Sequence, residues 1–310
     1  MSNVDYAEYI KEVGNLESID VHPASYWRKQ VHERNSGAFS QLGDALPWSK
    51  THDKFKARPG ELTVLAGYDG AKKSMILGQI MAHFSFNTKI AIASLEMKPE
   101  ATLLRMARQV AGFKPSSEII DKFLDHGERS IILYNQLDMI EQDRLLGFVH
   151  HSASVEGCTH VVIDSLTKLA FPESDRTAEI VFMNRLQFFA KHLNVHIWLV
   201  CHCRKPPVGD EARLPNKTEI RGASQITNLS DNVILTWANK LKYRAIQKQW
   251  EGKQLNDKEL ESLDKPDQFL IIDKQREGEW EGIFALWFDR PSLQFLGEEK
   301  HVKFIYKLGE

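Results

Sequence analysis

The sequence has few cysteines and no long apolar run. Its 310 residues include only three cysteines, Cys158, Cys201 and Cys203, which are too few for a disulfide framework. The N-terminus is acidic and lacks an apolar core, and no segment approaches the length of a membrane span. We therefore expect a soluble, cytoplasmic protein with reduced and buried thiols.

A metal site built from the cysteines is also disfavoured. Cys201 and Cys203 flank His202 within an apolar, strand-like run. Alternate residues of a strand face opposite ways, whereas zinc ligands must converge on one point. Buried thiols are therefore the better interpretation of this segment.

Neither sign of charge is in excess. The chain carries 40 Lys and Arg against 42 Asp and Glu, which gives a formal net charge of -2. Contact with nucleic acid therefore requires a local basic strip, or a ring of subunits that concentrates one. The length suits one large α/β domain with a modest appendage, and it leaves little room for a second full enzymatic domain.

Short apolar runs alternate with helical patterns from residue 46 onward. The strand-like runs are LTVLAG, KIAIASLE, SIILYN, HVVIDSL, HIWLVCH, NVILTW and FLIID, and the helical patterns include SMILGQIMAHF, PEATLLRMARQV, EQDRLLGFVHH and VFMNRLQFFAKH. Continuous apolar strands between helices are typical of a mainly parallel sheet covered on both faces. We predict an α/β fold with a mainly parallel twisted sheet flanked by helices. IFALWFDR, LQFLG and HVKFIYKL are expected to add antiparallel edge strands at the C-terminal end.

Changes in composition divide the chain. Residues 1–45 are polar, and their scattered apolar positions predict one or two short amphipathic helices that are too sparse to form a core. Pro47, Pro59 and Gly60 punctuate the chain before the first apolar strand. We therefore place the main domain at residues 46–310 and interpret the charged residues 240–265 as a surface insertion.

The first apolar strand runs directly into the loop GYDGAKKS, residues 67–74, and then into a helical pattern. A strand, a glycine-containing loop and a helix start form a setting in which backbone N–H groups receive phosphate. Against the pattern GxxxxGK[ST], Gly67, Lys73 and Ser74 are in register, but Lys72 replaces the glycine before the lysine. The Lys72 side chain could obstruct the β-phosphate or add a second cation. Alone, the loop is equally compatible with a chance Lys-Lys-Ser at a helix start.

Three further strand-like runs end in polar residues. Asp164 ends an apolar strand, where a carboxylate suits a phosphate-linked Mg²⁺. Glu96 follows another strand and could polarise an attacking water, although it could equally begin a helix. His202 ends a third strand as a donor able to sense a terminal phosphate, or as an ordinary histidine at the rim. The carboxyl ends of parallel strands meet at one edge, so these side chains are expected to lie near the loop.

Five blocks of sequence carry a specific resemblance. They are SLEM, VVIDSL, LVCHCRKP, EIRGASQITNLSDNVI and IIDKQREG. Their content and order resemble the DnaB-like replicative helicases of bacteria and phages, a group of RecA-like hexameric motors. The resemblance covers residues 46–290. It implies a RecA-like fold that binds ATP, or another NTP, with Mg²⁺, in the bacterial host cytoplasm if a phage encodes the chain.

The resemblance gives roles to the residues around the loop. It implies that Lys73 and Ser74 bind phosphate and Mg²⁺, and that Asp164 holds the ion directly or through water. It also implies that Glu96 activates water and that His202 reads the state of the γ-phosphate. The expected nucleotide contacts are Gly67, Gly70, Ala71, Lys72, Lys73 and Ser74.

Two further cations are implied to act on a neighbouring subunit. Lys274 and Arg276 lie in the block IIDKQREG and would alternate onto one side of a strand end. In the family such residues reach across the subunit interface to the neighbour's nucleotide. Without the resemblance, this segment would be interpreted as a solvated strand end.

The segment from residue 204 to residue 227 resembles the family loop that grips single-stranded DNA in the central channel. Pro206, Pro207 and Gly209 mark it as irregular, and a mobile surface loop is the plainer alternative. In a ring, such loops would form a basic lining through phosphate contacts. The candidate DNA-binding residues are Lys205, Arg213, Lys217, Arg221 and Gln225. A second channel loop is possible around residues 171–177.

Residues 1–45 stand where the family carries a separate N-terminal domain and a linker helix. They could serve as the docking helix on the next subunit through Tyr6, Tyr9, Ile10 or Trp27. Because the segment is short compared with the family's extra domain, primase activity and recruitment of other replication proteins are in doubt. The leading hypothesis is an ATP-dependent helicase or translocase that works as a ring, expected to be a hexamer, on single-stranded DNA during replication. Lys72 keeps open a degenerate relative that binds DNA or a helicase without efficient hydrolysis. A filament-forming recombinase shares the predicted fold.

Overall fold

A computed structural model of the chain describes most of its length. The described residues are 5, 8, 11, 22–37, 42–136, 138–169, 171, 176–206, 212–222, 224–298 and 302–308. The predicted docking residues Tyr6, Tyr9 and Ile10 lie outside them. So do Pro207, Gly209 and residues 172–175 of the possible second channel loop.

The described strands are numbered in chain order. They are β1 (Asp44–Ala45), β2 (Lys56–Ala57), β3 (Leu62–Gly67), β4 (Ile90–Ser94), β5 (Ile131–Tyr134), β6 (His160–Asp164), β7 (His196–His202), β8 (Asn232–Ala238), β9 (Gln268–Gln275), β10 (Gly282–Asp289) and β11 (Gln294–Leu296). The helices are α1 (Arg28–Asn35), α2 (Lys73–Phe84), α3 (Pro99–Ala111), α4 (Ser117–Ser130), α5 (Gln142–Ser154), α6 (Arg176–His192), α7 (Gln225–Leu229), α8 (Lys240–Trp250) and α9 (Asp257–Leu263).

Nine strands form one mixed sheet in the order β11-β10-β9-β8-β3-β7-β6-β4-β5. The strands from β8 to β5 run parallel to one another. In contrast, β9, β10 and β11 are antiparallel to their neighbours. The prediction of a mainly parallel sheet with antiparallel C-terminal strands is therefore confirmed.

Both faces of the sheet are covered. On β3, Leu62 and Val64 belong to a buried cluster that includes apolar residues of α5 and α6. Leu65, which points to the other face, belongs to a second cluster with apolar residues of α2 and α3. Burial on both faces explains why the parallel strands appear in the sequence as continuous apolar runs.

Two sequence predictions are corrected. HVKFIYKL was expected to form an edge strand, but residues 302–308 form none. The side-chain amide of Gln294 bonds both the N–H and the C=O of Phe304, so a glutamine replaces a strand as the backbone's partner. At the other end, α1 begins within SYWRKQVHE and ends at Asn35, but it is not amphipathic, because Val31 is the only apolar residue in its sequence.

The charged segment at residues 240–265 folds as the helices α8 and α9. Asn239 and Asn256 cap them, each accepting a hydrogen bond from a backbone N–H of the first turn. All three cysteines are free and buried, as expected. None of the described helices has the length and apolar character needed to cross a membrane.

The topology brings several strand ends together. β3, β4, β6 and β7 are parallel, so the residues that follow them meet at the same carboxyl edge of the sheet. β9 runs the opposite way, so its last residues lie at the other edge, beside the start of β8.

Candidate functional site

The predicted phosphate loop joins β3 to α2. Gly67 has no room for a side chain, because a Cβ there would collide with the carbonyl oxygen of Thr236. Gly70 has a φ of +78°, a conformation that favours glycine. The carbonyl of Ala71 accepts hydrogen bonds from Thr236 Oγ1 at 3.0 Å and from Gln268 Nε2 at 2.9 Å. These contacts anchor the loop to β8 and β9.

Lys73 points into the curve of this loop. Its Nζ donates to the carbonyls of Gly67 at 3.2 Å and Tyr68 at 3.4 Å, and it lies 3.5 Å from Nδ1 of His202. Burial lowers the pKa of Lys73, while the nearby carboxylates of Asp69 and Asp164 oppose that shift. A buried ammonium at a helix N-terminus is suited to an anion such as a triphosphate.

Ser74 and Asp164 lie together beside Lys73. The Ser74 hydroxyl is hydrogen-bonded to the Asp164 carboxylate, and Asp164 is buried. Burial raises the pKa of Asp164, so a positive charge next to it would be stabilising. Among the described residues, no three or more His, Cys, Asp or Glu side chains form a metal cage. The pair therefore fits Mg²⁺ held by one carboxylate, a hydroxyl and phosphate oxygens.

Glu96 lies beside the same site. Its Oε1 accepts a hydrogen bond from Ser165 Oγ at 2.6 Å and lies 3.7 Å from Nε2 of His202. The other ring nitrogen of His202, Nδ1, lies 3.0 Å from Oδ1 of Asp69. A hydrogen bond with His202 is the main reason that the pKa of Asp69 is lowered. The histidine thus bridges two carboxylates, with Lys73 within reach.

Asp69 was missed by the sequence interpretation. It occupies the third position of the loop, where the pattern GxxxxGK[ST] accepts any residue, so the motif alone carries no signal for it. Its position before Gly70 in a loop that faces the end of β7 was the available clue. The structure therefore joins five of the predicted side chains, Lys73, Ser74, Glu96, Asp164 and His202, with Asp69, which was not predicted.

Lys274 and Arg276 lie at the opposite edge of the sheet from their own phosphate loop. In the strand register Gly67 is level with Thr236, which pairs with Leu270. Arg276 comes six residues after Leu270, so at about 3.3 Å per residue it lies roughly 20 Å away along the sheet. Neither cation can reach the phosphate loop of its own chain.

Both cations contact the connection between α7 and β8. Lys274 Nζ donates to the carbonyls of Thr227 at 2.7 Å and Ser230 at 2.6 Å. Arg276 Nη1 lies 2.9 Å from Oδ1 of the buried Asp231, and its Nη2 donates to the carbonyl of Asn228 at 3.0 Å. The two side chains therefore point to the same side, as the alternation predicted.

The candidate DNA-binding residues are not equivalent. Lys205 and Arg221 are exposed, and Gln225 begins α7 half-buried. Arg213 is also exposed, but it forms an ion pair with Glu219, with 2.9 Å between Nη2 and Oε1. Lys217 donates its backbone N–H and its ammonium to the side chain and the carbonyl of Asp273, each at 2.8 Å. Two of the five predicted residues are thus engaged within the chain.

Residues 204–227, called the basic segment below, are joined to the phosphate loop at one point and to the end of β7 at another. The hydroxyl of Tyr68 donates to Oε2 of Glu219 at 2.9 Å, and Tyr68 is buried. The backbone N–H of Arg221 donates to the carbonyl of His202 at 2.8 Å. The sequence interpretation found neither link, because both connect residues distant in the chain or fall on unremarkable backbone atoms.

The fold and this geometry define a class of protein. In a RecA-like ATPase fold, a buried strand leads through a phosphate-type loop into a helix, next to acidic strand ends on a mainly parallel sheet. This chain has that arrangement, and its helix begins with Lys73 and Ser74. The chain belongs to the family of DnaB-like helicase C-terminal domains, whose profile matches residues 55–296.

Comparison with individual proteins agrees with this assignment. The chain is 27% identical over 205 residues to a DNA helicase/primase of Enterobacteria phage T3, and the match covers 59% of this chain and 36% of the phage protein. It thus spans only about a third of the length of that relative.

Solved structures share the fold. A DnaB-like replicative helicase, studied for its interactions with primase, has a TM-score of 0.67 at 15% identity, covering 93% of this chain and 70% of that one. A second solved structure, of an isolated ATPase domain, has a TM-score of 0.69 at 15% identity, covering 90% and 100%. The RadB recombinase has a TM-score of 0.52 at 16% identity, covering 79% and 93%.

Proposed function

We propose that this chain is the motor of a ring-shaped, ATP-hydrolysing helicase that moves along single-stranded DNA during replication. The observation that carries the proposal is the opposed placement of two half-sites. Lys73, Asp164, Glu96 and His202 converge at one edge of the sheet, whereas Arg276 lies at the other. A complete site then requires two protomers, which is the arrangement of a ring in which head meets tail.

Each residue has a chemical task in this proposal. Lys73 and the N–H groups of the loop balance phosphate charge, and the carboxylate of Glu96 accepts a proton from the attacking water. Mg²⁺, held by Ser74 and Asp164 with the phosphates, would supply Lewis-acid stabilisation of the charge that develops on them. His202 lies between the loop and Glu96, where it can respond to loss of the terminal phosphate.

The DNA-binding role of the basic segment rests on exposure and connection. Lys205 and Arg221 are exposed cations in the described part of this segment, and phosphate contacts need such side chains. Arg221 is bonded through its backbone to the strand end that carries His202. A change at the terminal phosphate would therefore move a DNA-contacting residue through a single hydrogen bond.

The lysine at position 72 favours a second function, that of a catalytically degenerate helicase-like protein. Such a protein would bind DNA or a partner helicase without efficient hydrolysis of ATP. However, the ammonium of Lys72 lies 3.6 Å from the ring centroid of Phe288 and 4.3 Å from that of Tyr243. The side chain is thus directed towards these two rings, whereas Lys73 occupies the curve of the loop.

An ATPase assay with and without single-stranded DNA tests both functions. We expect DNA-stimulated hydrolysis by the parent protein, and a loss of about 100-fold or more in Lys73→Ala because the phosphate charge loses its cation. Lys72→Gly should change turnover by less than about threefold, since the side chain avoids the cradle. Absence of hydrolysis in the parent would refute the motor. A large gain in Lys72→Gly would instead support the degenerate relative.

A further inference from the structure

Lys72 has a backbone conformation that an L residue rarely adopts. Its φ of 57° and ψ of 31° are left-handed, at the loop position where the P-loop pattern has glycine. Its carbonyl accepts the first hydrogen bonds of α2, from the N–H groups of Met75 at 3.1 Å and Ile76 at 3.0 Å. The conformation of this one residue therefore sets how the loop enters the helix and where its N–H groups point.

The side chain of Lys72 leaves the loop between two aromatic rings. Its Nζ lies 3.6 Å from the centroid of Phe288, on β10, and 4.3 Å from that of Tyr243, on α8. Such distances place the ammonium against the negative faces of both rings. We call Tyr243 and Phe288 the aromatic clamp. Lys73, the next residue, points into the loop instead, so the two adjacent lysines occupy separate environments.

The main partners of the Lys72 ammonium are the two aromatic rings, and the charged groups near it are Arg290 and Asp267. The pKa of Lys72 is lowered to about 8, mainly by burial and then by the positive charge of Arg290, while Asp267 opposes the shift. The guanidinium of Arg290 lies 4.6 Å from the ring of Trp250, at the outer end of α8. No salt bridge to Lys72 is found among the described residues, so the ammonium is held mainly by the two rings.

One carboxylate holds both halves of the aromatic clamp in place. Oδ2 of Asp267 accepts hydrogen bonds from Nζ of Lys242 at 3.2 Å and from the backbone N–H of Phe288 at 3.1 Å. Lys242 directly precedes Tyr243 on α8 and also donates to the carbonyl of Lys265 at 2.7 Å. The charged insertion is thereby fastened against β10 with the two rings facing Lys72.

We propose that Tyr243 and Phe288 are positioning residues for nucleotide binding, because by holding the Lys72 side chain they keep residue 72 in the left-handed conformation that the loop needs. Glycine adopts this conformation without help, whereas lysine does not. The insertion at residues 240–265 thus compensates for the departure from the glycine pattern. The inference rests on the proposed function to the extent that the loop binds a nucleoside triphosphate.

The test is a double-mutant cycle on Lys72 and Tyr243. Binding of a fluorescent ATP analogue with Mg²⁺ is measured for the full chain, for Tyr243→Leu, for Lys72→Gly and for the double variant. We expect Tyr243→Leu to weaken binding about tenfold, equivalent to about 1.4 kcal/mol. In the Lys72→Gly background the same change should cost less than about twofold, since glycine needs no clamp.

Tyr243→Phe provides the matched control. The Tyr243 hydroxyl is buried and has no hydrogen-bond partner among the described residues, so removing it keeps the ring and loses no contact of the hydroxyl. This variant should bind the analogue within about twofold of the parent, as expected when the ring face is what matters. Tenfold weaker binding by Tyr243→Phe would contradict a role for the ring and point to the hydroxyl.

Two results would overturn the proposal. If Tyr243→Leu weakens binding of the analogue equally in the parent and in Lys72→Gly, Tyr243 acts on the nucleotide or the fold without Lys72. If Tyr243→Leu weakens binding in neither, the aromatic clamp does not position the loop. A parent chain that binds no analogue would refute the proposed function instead. The same cycle followed by urea unfolding would then still test the clamp, and zero coupling between Lys72 and Tyr243 would overturn it.

Discussion

Mixing two inactive variants tests whether an active site is shared between protomers. Lys73→Ala removes the phosphate-binding cation at one edge of the sheet, and Arg276→Ala removes the guanidinium at the other. The two positions lie about 20 Å apart along the strands of one chain, by the rise of about 3.3 Å per residue. In the proposed ring Arg276 would therefore serve the nucleotide of a neighbour, and the two defects would fall in different half-sites of each protomer.

The expected recovery follows from counting interfaces. In an equal, randomly assembled mixture, about a quarter of the interfaces pair the intact loop of an Arg276→Ala protomer with the intact arginine of a Lys73→Ala protomer. Each variant alone should lose at least about 100-fold in hydrolysis, which is the loss expected above for Lys73→Ala and less than a trans-acting arginine usually contributes. The mixture should then exceed the sum of the separate variants by at least about tenfold, in an ATPase assay with single-stranded DNA.

Two controls make this experiment decisive. Mixing Lys73→Ala with Asp164→Asn places both defects in the same half-site, so no interface is complete and no recovery is expected. Arg276→Ala also removes the ion-pair partner of the buried Asp231. Because Asp231 keeps its hydrogen bond from the N–H of Leu62, the free energy of unfolding should fall by only about 1–2 kcal/mol. Thermal unfolding checks that the variant is folded. Activity of Arg276→Ala alone, or no recovery in the mixture, would refute the shared site.

Two further predictions concern buried hydrogen-bonding groups. Tyr68→Phe removes the hydroxyl that donates to Glu219 and so joins the phosphate loop to the basic segment. A hydrogen bond to a charged acceptor is worth about 1.5–3 kcal/mol. We therefore expect stimulation of the ATPase by DNA to fall about tenfold. An unchanged ratio of stimulated to unstimulated hydrolysis would show that this link does not couple the two sites. Burial lowers the pKa of His160 and of His196, although Asp44 opposes the shift at His160. Below about pH 6.5 these histidines bind protons in the unfolded chain but not in the folded chain. The free energy of unfolding should therefore fall by about 1.4 kcal/mol per histidine for each pH unit below this value, until the pH reaches the pKa of the histidine in the folded chain. Urea unfolding at pH values of about 7.5, 6.5 and 5.5 measures this slope, and equal stability at all three values would contradict it.

The fold was predictable because parallel strands leave a strong mark in a sequence. β3, β6 and β7 are buried on both faces, so each appears as a mainly apolar run. β6 ends at Asp164 and β7 at His202, whereas β3 leads into the phosphate loop. Asp164 and His202 could be placed beside the loop by topology alone, because parallel strands share a carboxyl edge. The same logic failed at HVKFIYKL, where the partner of the backbone is the side chain of Gln294 and strand periodicity gives no warning of it.

The direction of individual cations could not be predicted. Lys72 and Lys73 are adjacent, yet one ammonium lies against Tyr243 and Phe288 and the other within the loop. Their directions depend on a left-handed backbone angle and on an insertion about 170 residues away in sequence. Likewise, Lys217 belongs to a basic segment by composition but is bonded to Asp273 of β9. Composition indicates how many charges a segment carries, whereas long-range contacts decide which of them are available to a ligand.

β8 connects the two half-sites of a protomer. Next to its first residue, Asp231 binds the guanidinium of Arg276, and towards its other end Thr236 donates to the carbonyl of Ala71 in the phosphate loop. The strand is buried along its whole length between β3 and β9, so it has little freedom to bend. The phosphate loop and Arg276, the cation that we propose acts on a neighbour, are therefore fixed relative to each other. In the proposed ring, a change of geometry at one interface would then move the protomer as a rigid body and transmit that change to the next interface.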